Sequence, residues 1–333
     1  MTNPDNLDPL LGLGWHFRLA MPVYLADPGV SSSILKLQED APALAKAAMD
    51  GDLENNDTKA SIEGELIHTA LLEPDELKER YVISGTCAKL IASGKRKGQP
   101  CGATGKAVDP EVGWVCGQHG ANDLEKKKDS RVVVNSFQWR MAIQLRDNAL
   151  VEGRPLHHPD AKKLLEAKGE PELTGIFNDP ETGERGRIRI DRWLELGWSI
   201  DVKTVDVGRG SADRFVRHAW NMGMHVQQGW YGHGSGVLQR PLTRHVIMVA
   251  ERGFPYLVQP YLLPPALVDY GRIRALESLR ALSECRRSGH WPGYSDQVEE
   301  LQLLGWQKAV LAHLPDEPGA EAPDKPPMDF GIW

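Results

Sequence analysis

The sequence predicts an α/β fold with a mixed central sheet flanked by helices. Three observations carry this. Arg187-Ile188-Arg189-Ile190-Asp191-Arg192-Trp193 and Trp198-Ser199-Ile200-Asp201-Val202-Lys203-Thr204-Val205 are β-like segments joined by a short glycine-containing break. Val246-Ile247-Met248-Val249-Ala250 reads as a fully buried strand. Between them, Ser211 to Tyr231 has helical periodicity, with Phe215, Ala219, Met222 and Val226 on one face.

In order, residues 1–30 read as an N-terminal arm, 31–80 as helices and 84–122 as an insert. Residues 130–168 return to helix, with apolar Phe137, Met141, Leu145, Leu164 and Leu165. Strands occupy about 172–205, their hairpin announced by Asn178-Asp179-Pro180-Glu181-Thr182-Gly183. One helix over 211–232, strands over 243–262 and helices at about 264–284 and 294–312 complete a single domain, 31–314. A tail, 315–333, is rich in Pro, Asp, Glu, Gly and Ala and is expected to be disordered. Its end, Met328-Asp329-Phe330-Gly331-Ile332-Trp333, is either a docking peptide or inert.

Composition bounds the function. The 333 residues carry 39 basic and 46 acidic side chains, a formal net charge of −7, which does not advertise nucleic-acid binding. A local basic path remains available through Arg187, Arg189, Arg192, Arg214 and Arg217. No run approaches the ~20 apolar residues of a spanning helix. No basic n-region precedes the moderately apolar stretch Leu10 to Ala26. A cytoplasmic location is expected, where thiols stay reduced.

The strand pair carries the chemistry. Hydrolysis of a phosphodiester calls for a divalent cation to neutralise developing charge and to acidify water, and Mg²⁺ or Mn²⁺ prefers carboxylate oxygens. Asp191 and Asp201 supply them. Asp201 and Lys203 share one strand face, so the ammonium can reach water beside the metal, while Val202 points to the core with its carbonyl free to ligate. Acid-x-Lys triplets also occur at Asp57, Glu76, Glu125 and Glu166, but only Asp201-Val202-Lys203 lies in an apolar strand. Glu172 could supply a third carboxylate, and Gln227 and Tyr231, four residues apart, share a helix face that can act on a phosphate or on the lysine.

A second cluster lies in the insert. Cys87, Cys101, Cys116 and His119 suit tetrahedral Zn²⁺, and four protein ligands leave no open position, so the site would be structural. Scattered free thiols and an iron–sulfur cluster are the competing readings.

Taken together, Glu172, Asp191, Asp201-Val202-Lys203-Thr204 and His225-Val226-Gln227-Gln228-Gly229-Trp230-Tyr231 resemble the PD-(D/E)xK nuclease superfamily. More narrowly they look like the RecE-type exodeoxyribonuclease VIII family of phage recombination nucleases. Ser31-Ser32-Ser33-Ile34-Leu35-Lys36, Glu63-Gly64-Glu65-Leu66-Ile67-His68 and Cys285-Arg286-Arg287-Ser288-Gly289-His290-Trp291-Pro292-Gly293-Tyr294 extend the match over roughly residues 20–310, the insert apart. Ile190, where the superfamily has Pro, and Gly64-Glu65, where small residues are expected, depart from it.

The resemblance implies a restriction-endonuclease-like core, with His68, Glu172, Asp191, Asp201 and the Val202 carbonyl around Mg²⁺. It further implies 5′-to-3′ exonuclease action on linear double-stranded DNA, leaving 3′ single strands for an annealing recombinase, by a ring-shaped homo-oligomer. An endonuclease reading DNA through the insert, or a zinc-stabilised scaffold without catalysis, are the alternatives.

Overall fold

Residues 11–53, 59–95, 97–99, 101–105, 107–109, 113–120, 131–295, 297–302, 305 and 307–308 are described by the structure, a computed structural model. In chain order they form β1 (Gly14–His16), α1 (Met21–Ala26), α2 (Ser32–Asp40), α3 (Pro42–Asp50), α4 (Lys59–Leu72), α5 (Leu77–Arg80) and β2 (Tyr81–Ile83). The insert adds β3 (Ala107–Asp109) and β4 (Gly113–Val115). Then come β5 (Val132–Val134), α6 (Ser136–Leu150), α7 (Pro159–Glu166), β6 (Gly169–Asn178), β7 (Arg185–Leu194) and β8 (Trp198–Val205). The last elements are α8 (Ala212–Asn221), α9 (Met224–Val237), β9 (Arg244–Glu251), β10 (Val258–Leu262) and α10 (Pro265–Ser288).

Six strands make the central sheet, in the order β1-β6-β7-β8-β9-β10. All neighbours are antiparallel except β8 and β9, so the sheet is mixed, as the sequence predicts. Side chains alternate along β9, and each face finds its own helices. Val246 and Met248 pack with Ile200 and Val202 under Ile67 and Leu71 of α4, Met141 and Leu145 of α6 and Leu165 of α7. Ile247 and Val249 pack with Val205 under Phe215 of α8. Farther along, Phe177, Ile188 and Ile190 are covered by Leu35 of α2, Val226 and Trp230 of α9 and Leu279 of α10.

The pairing between β7 and β8 sets up the site. β6 and β7 pair along nearly their whole length, and β8 pairs with β9 from Trp198 to Val205. β7 and β8 share only Arg192↔Ile200, Trp193↔Ser199 and Leu194↔Trp198. Beyond Arg192 and Ile200 the strands part, and Asp191 and Asp201 are the next residues on either side.

Several expectations are corrected. The N-terminal arm is not separate from the domain, because Gly14–His16 form the sheet's edge strand on β6. The single helix expected over 211–232 is two, α8 and α9, broken at Gly223, whose φ of +60° lies in the left-handed region that L side chains avoid. A Cβ there would also meet Lys36 Cδ at 2.6 Å. Phe137 is 51% exposed rather than core, because it lies in the first turn of α6, where Asn135 caps the helix. The chain divides into units at Trp291. In the second unit, described residues 294–295 and 297–302 are not helical and Val298 and Leu301 are exposed there, whereas Gly305, Gln307 and Lys308 are helical, so the helix expected from 294 begins later. Residues 315–333 lie outside the described residues.

The strands on either side of the insert form one small parallel pair, β2 with β5. Tyr81 and Val134 of that pair pack with Leu66 and Ala70 of α4 and Ala142 of α6.

Candidate active site

Where β7 and β8 part, Val202 has no strand partner on its β7 side, and side chains take over. Asp191 Oδ2 accepts the Val202 N–H at 2.8 Å. The Val202 carbonyl accepts from His68 Nε2 at 2.9 Å. Both backbone groups orphaned by the splayed strands are thereby satisfied. This contact places the ring proton on Nε2, an assignment from the hydrogen-bond network, and leaves the Nδ1 lone pair 3.5 Å from Asp191 Oδ2. A histidine whose far nitrogen donates to a carbonyl is oriented as metal-binding histidines are. The Val202 carbonyl, expected free to ligate, accepts this bond with one of its two lone pairs.

Glu172 completes a trio. It stands opposite Asp191 between the registered pairs Pro171↔Arg192 and Leu173↔Ile190, and its φ is +51°. Left-handed backbone at a residue other than glycine costs about 1–3 kcal/mol and collects at functional sites. The Glu172 carboxylate ion-pairs with Arg189 Nε at 2.6 Å. Ligand atoms of His68, Glu172 and Asp191 all lie within 4.8 Å of one another.

Asp201 and Lys203 share a face as period two requires, with Nζ 2.5 Å from Asp201 Oδ2. The other carboxylate oxygen accepts from Gln227 Nε2 at 2.8 Å, and the same amide lies 3.0 Å from the Tyr231 hydroxyl. The break at Gly223 separates α9 from α8, and α9 carries Gln227 and Tyr231 to β8. The helix pair acts on Asp201, not on the lysine. Asp201 thus sits beside the trio, its carboxylate held by Lys203 and Gln227.

The electrostatics fit a cation site. Burial, then the Asp201 charge, pushes Asp191 up to about 7. Burial and Asp191 raise Glu172 as well, while burial and Lys203 lower His68. Clustered carboxylates that resist ionisation and a histidine that stays neutral form a donor set that a divalent cation would stabilise. Burial opposes the Lys203 charge, but Asp201 and Asp191 outweigh it and hold its pKa above the ordinary value. Burial keeps Tyr231 protonated, its pKa raised well above that of a free phenol.

The arginines divide differently from expectation. Arg187 donates to the carbonyls of Tyr24, Leu25 and Asp27, and Arg189 to that of Leu19, so both pin the segment around α1 onto β7. Arg192 donates to the Ala167 carbonyl and Arg214 to that of Gly208. Arg217 is exposed on α8. Sequence reasoning missed Lys36 as a site residue. Its Nζ donates to the Met222 carbonyl at 3.1 Å, and burial, then Lys203, lowers its pKa. The only signal was its place in the Ser31-to-Lys36 segment. Cys87, Cys101, Cys116 and His119 also converge, their ligand atoms within 4.8 Å of one another. No helix among the described residues is long and apolar enough to cross a membrane.

No family model matches the chain. No curated protein matches it either. A crystal structure described as a "Putative exonuclease" from Eubacterium rectale is similar to it, with a TM-score of 0.52 and 11% identity, over 88% of this chain and 98% of that one. At this identity the likeness shows the fold, a mixed sheet flanked by helices.

Proposed function

We propose that this chain is a metal-dependent deoxyribonuclease that degrades linear duplex DNA from its ends. The observation that carries the reading is the meeting of His68, Glu172 and Asp191 with the Asp201–Lys203 pair where β7 and β8 part. The resemblance in sequence and the exonuclease-described neighbour in fold both favour it.

His68, Glu172 and Asp191 would hold Mg²⁺ or Mn²⁺, with Asp201 adjacent. The cation would supply charge neutralisation at the phosphate and a more acidic water. Lys203, kept protonated by two carboxylates, would orient an attacking water and offer positive charge to the phosphate. As an ammonium it is a donor and not the base. Gln227 fixes Asp201 and Tyr231 together, and the protonated Tyr231 hydroxyl can donate to a phosphate oxygen. Hydrolysis joins the water oxygen to phosphorus, breaks one P–O bond and delivers a proton to the departing sugar oxygen.

The family resemblance favours 5′-to-3′ polarity, delivery of 3′ strands to an annealing recombinase, and a ring of like chains. Digestion of end-labelled linear duplex with Mg²⁺, beside a covalently closed circle, tests the reading. Loss of the linear species alone, abolished by Asp201→Ala, is expected. Cutting of the circle would indicate an endonuclease, and binding without hydrolysis would leave a scaffold.

A further inference from the structure

Residues 84–120 carry a cluster that the hydrolytic chemistry does not use. Cys87 Sγ lies 3.4 Å from His119 Nδ1, Cys116 Sγ lies 3.5 Å from the same nitrogen, and Cys101 Sγ lies 3.9 Å from Cys116 Sγ. A tetrahedral zinc ion, with Zn–S about 2.3 Å and Zn–N about 2.0–2.1 Å, has edges of about 3.8 Å between sulfurs and about 3.5 Å between sulfur and nitrogen. The three distances match those edges. A disulfide would need sulfurs about 2.05 Å apart, and all four cysteines of the chain are free.

Backbone geometry agrees. The Cys87 N–H donates to the Ala103 carbonyl at 2.8 Å and the Cys101 N–H to the Lys89 carbonyl at 2.9 Å, so the two turns that carry these ligands are hydrogen-bonded to each other. Gly85 and Gly105 make room for Trp114, whose ring atoms a Cβ at Gly85 would meet at 2.0 Å.

The packing explains why a metal is needed. Among the described residues the apolar cluster of the insert is Cys87, Val115 and Cys116, with Cys101 and Ala107 against it. Three of those five are candidate ligands. A segment below about 40 residues seldom folds on so little buried surface without a metal or disulfides.

We propose that Cys87, Cys101, Cys116 and His119 bind one zinc ion in a closed, structural site, and that this ion folds the insert. Four protein donors leave no position for water, so the ion takes no part in hydrolysis. Cysteines and histidine this close leave room for one ion and not for a multi-iron cluster.

Metal analysis of the full chain, purified after growth with zinc and dialysed against EDTA, is the test. About one zinc per chain is expected, falling below about 0.2 in Cys116→Ser and in Cys101→Ser. Those variants could misfold, so the unaltered chain reconstituted with Co²⁺ gives a second reading. Strong visible d–d bands of a tetrahedral ion with sulfur-to-cobalt charge transfer are expected. Absence of zinc from the replete chain, stoichiometric iron with visible absorption, or octahedral cobalt spectra would each overturn the site. Lys203→Ala should keep its zinc while losing hydrolysis, which separates this inference from the nuclease reading.

Discussion

Asp191 and Val202 are linked across the parting of β7 and β8, the carboxylate taking the N–H that no strand reaches, at 2.8 Å. On the proposed reading one side chain therefore serves the fold and the cation together. Asp191→Asn keeps an acceptor, whereas Asp191→Ala leaves the Val202 N–H unpaired. Alanine should be about 1–3 kcal/mol less stable than asparagine in denaturant unfolding. Both should lose more than about 10²-fold in DNA turnover, since outer partners of metal ligands already cost 10–100-fold. Equal stability of the two variants would count against the link.

Gln227 holds Asp201 Oδ1 and the Tyr231 hydroxyl through one amide. Gln227→Ala should lower turnover about 10–100-fold, as for other groups that orient active-site carboxylates. Tyr231→Phe, which retains the bond between Gln227 and Asp201, should lower it less. Steady-state kinetics on end-labelled duplex would rank the two, and the reverse order would give Tyr231 the larger role.

Gly223 carries a left-handed φ and lies against Lys36. Gly223→Ala should cost about 1–3 kcal/mol of stability, because strain and crowding act at one position. Urea unfolding measures it. A neutral result would mean that the joint between α8 and α9 adapts freely.

His245 supplies a pH dependence away from the site. It is buried, with Nδ1 near Ser199 Oγ and Gln228 Oε1, and burial lowers its pKa to about 4 from the ordinary 6.5 of histidine. Its neutral form is the one the fold accepts, so its contribution is present above pH 6.5 and is lost as pH falls through about 4. Up to about 3 kcal/mol is at stake over that window. Unfolding free energy between pH 7 and 4 should fall more steeply for the unaltered chain than for His245→Gln, and parallel slopes would refute the assignment.

Much of this was legible in the sequence because local rules decide it. Period two in an apolar strand puts Asp201 and Lys203 on one face whatever surrounds them, and their separation from Val202 follows. Helical spacing likewise brings Gln227 and Tyr231 together. What could not be read depends on distant partners. The break at Gly223 is fixed by φ and by the passage of Lys36, 187 positions earlier by its number in the chain. Arg187 and Arg189 look like a basic path in sequence, yet carbonyls of the arm claim them. Three residues, Gly14 to His16, are too few to show any periodicity, although β6 makes them a strand.

The chain leaves for the insert after Ile83 and returns at Val132, and the strands at both points are neighbours in one pair. Both ends of the module therefore meet at one strand pair, while the sheet that holds the carboxylates closes without it. Replacement by a plain crossover of about a dozen residues, the length that parallel strands need, would leave β6 through β9 with all their partners. By topology the insert is an attachment whose replacement leaves the pairing of the six-stranded sheet intact.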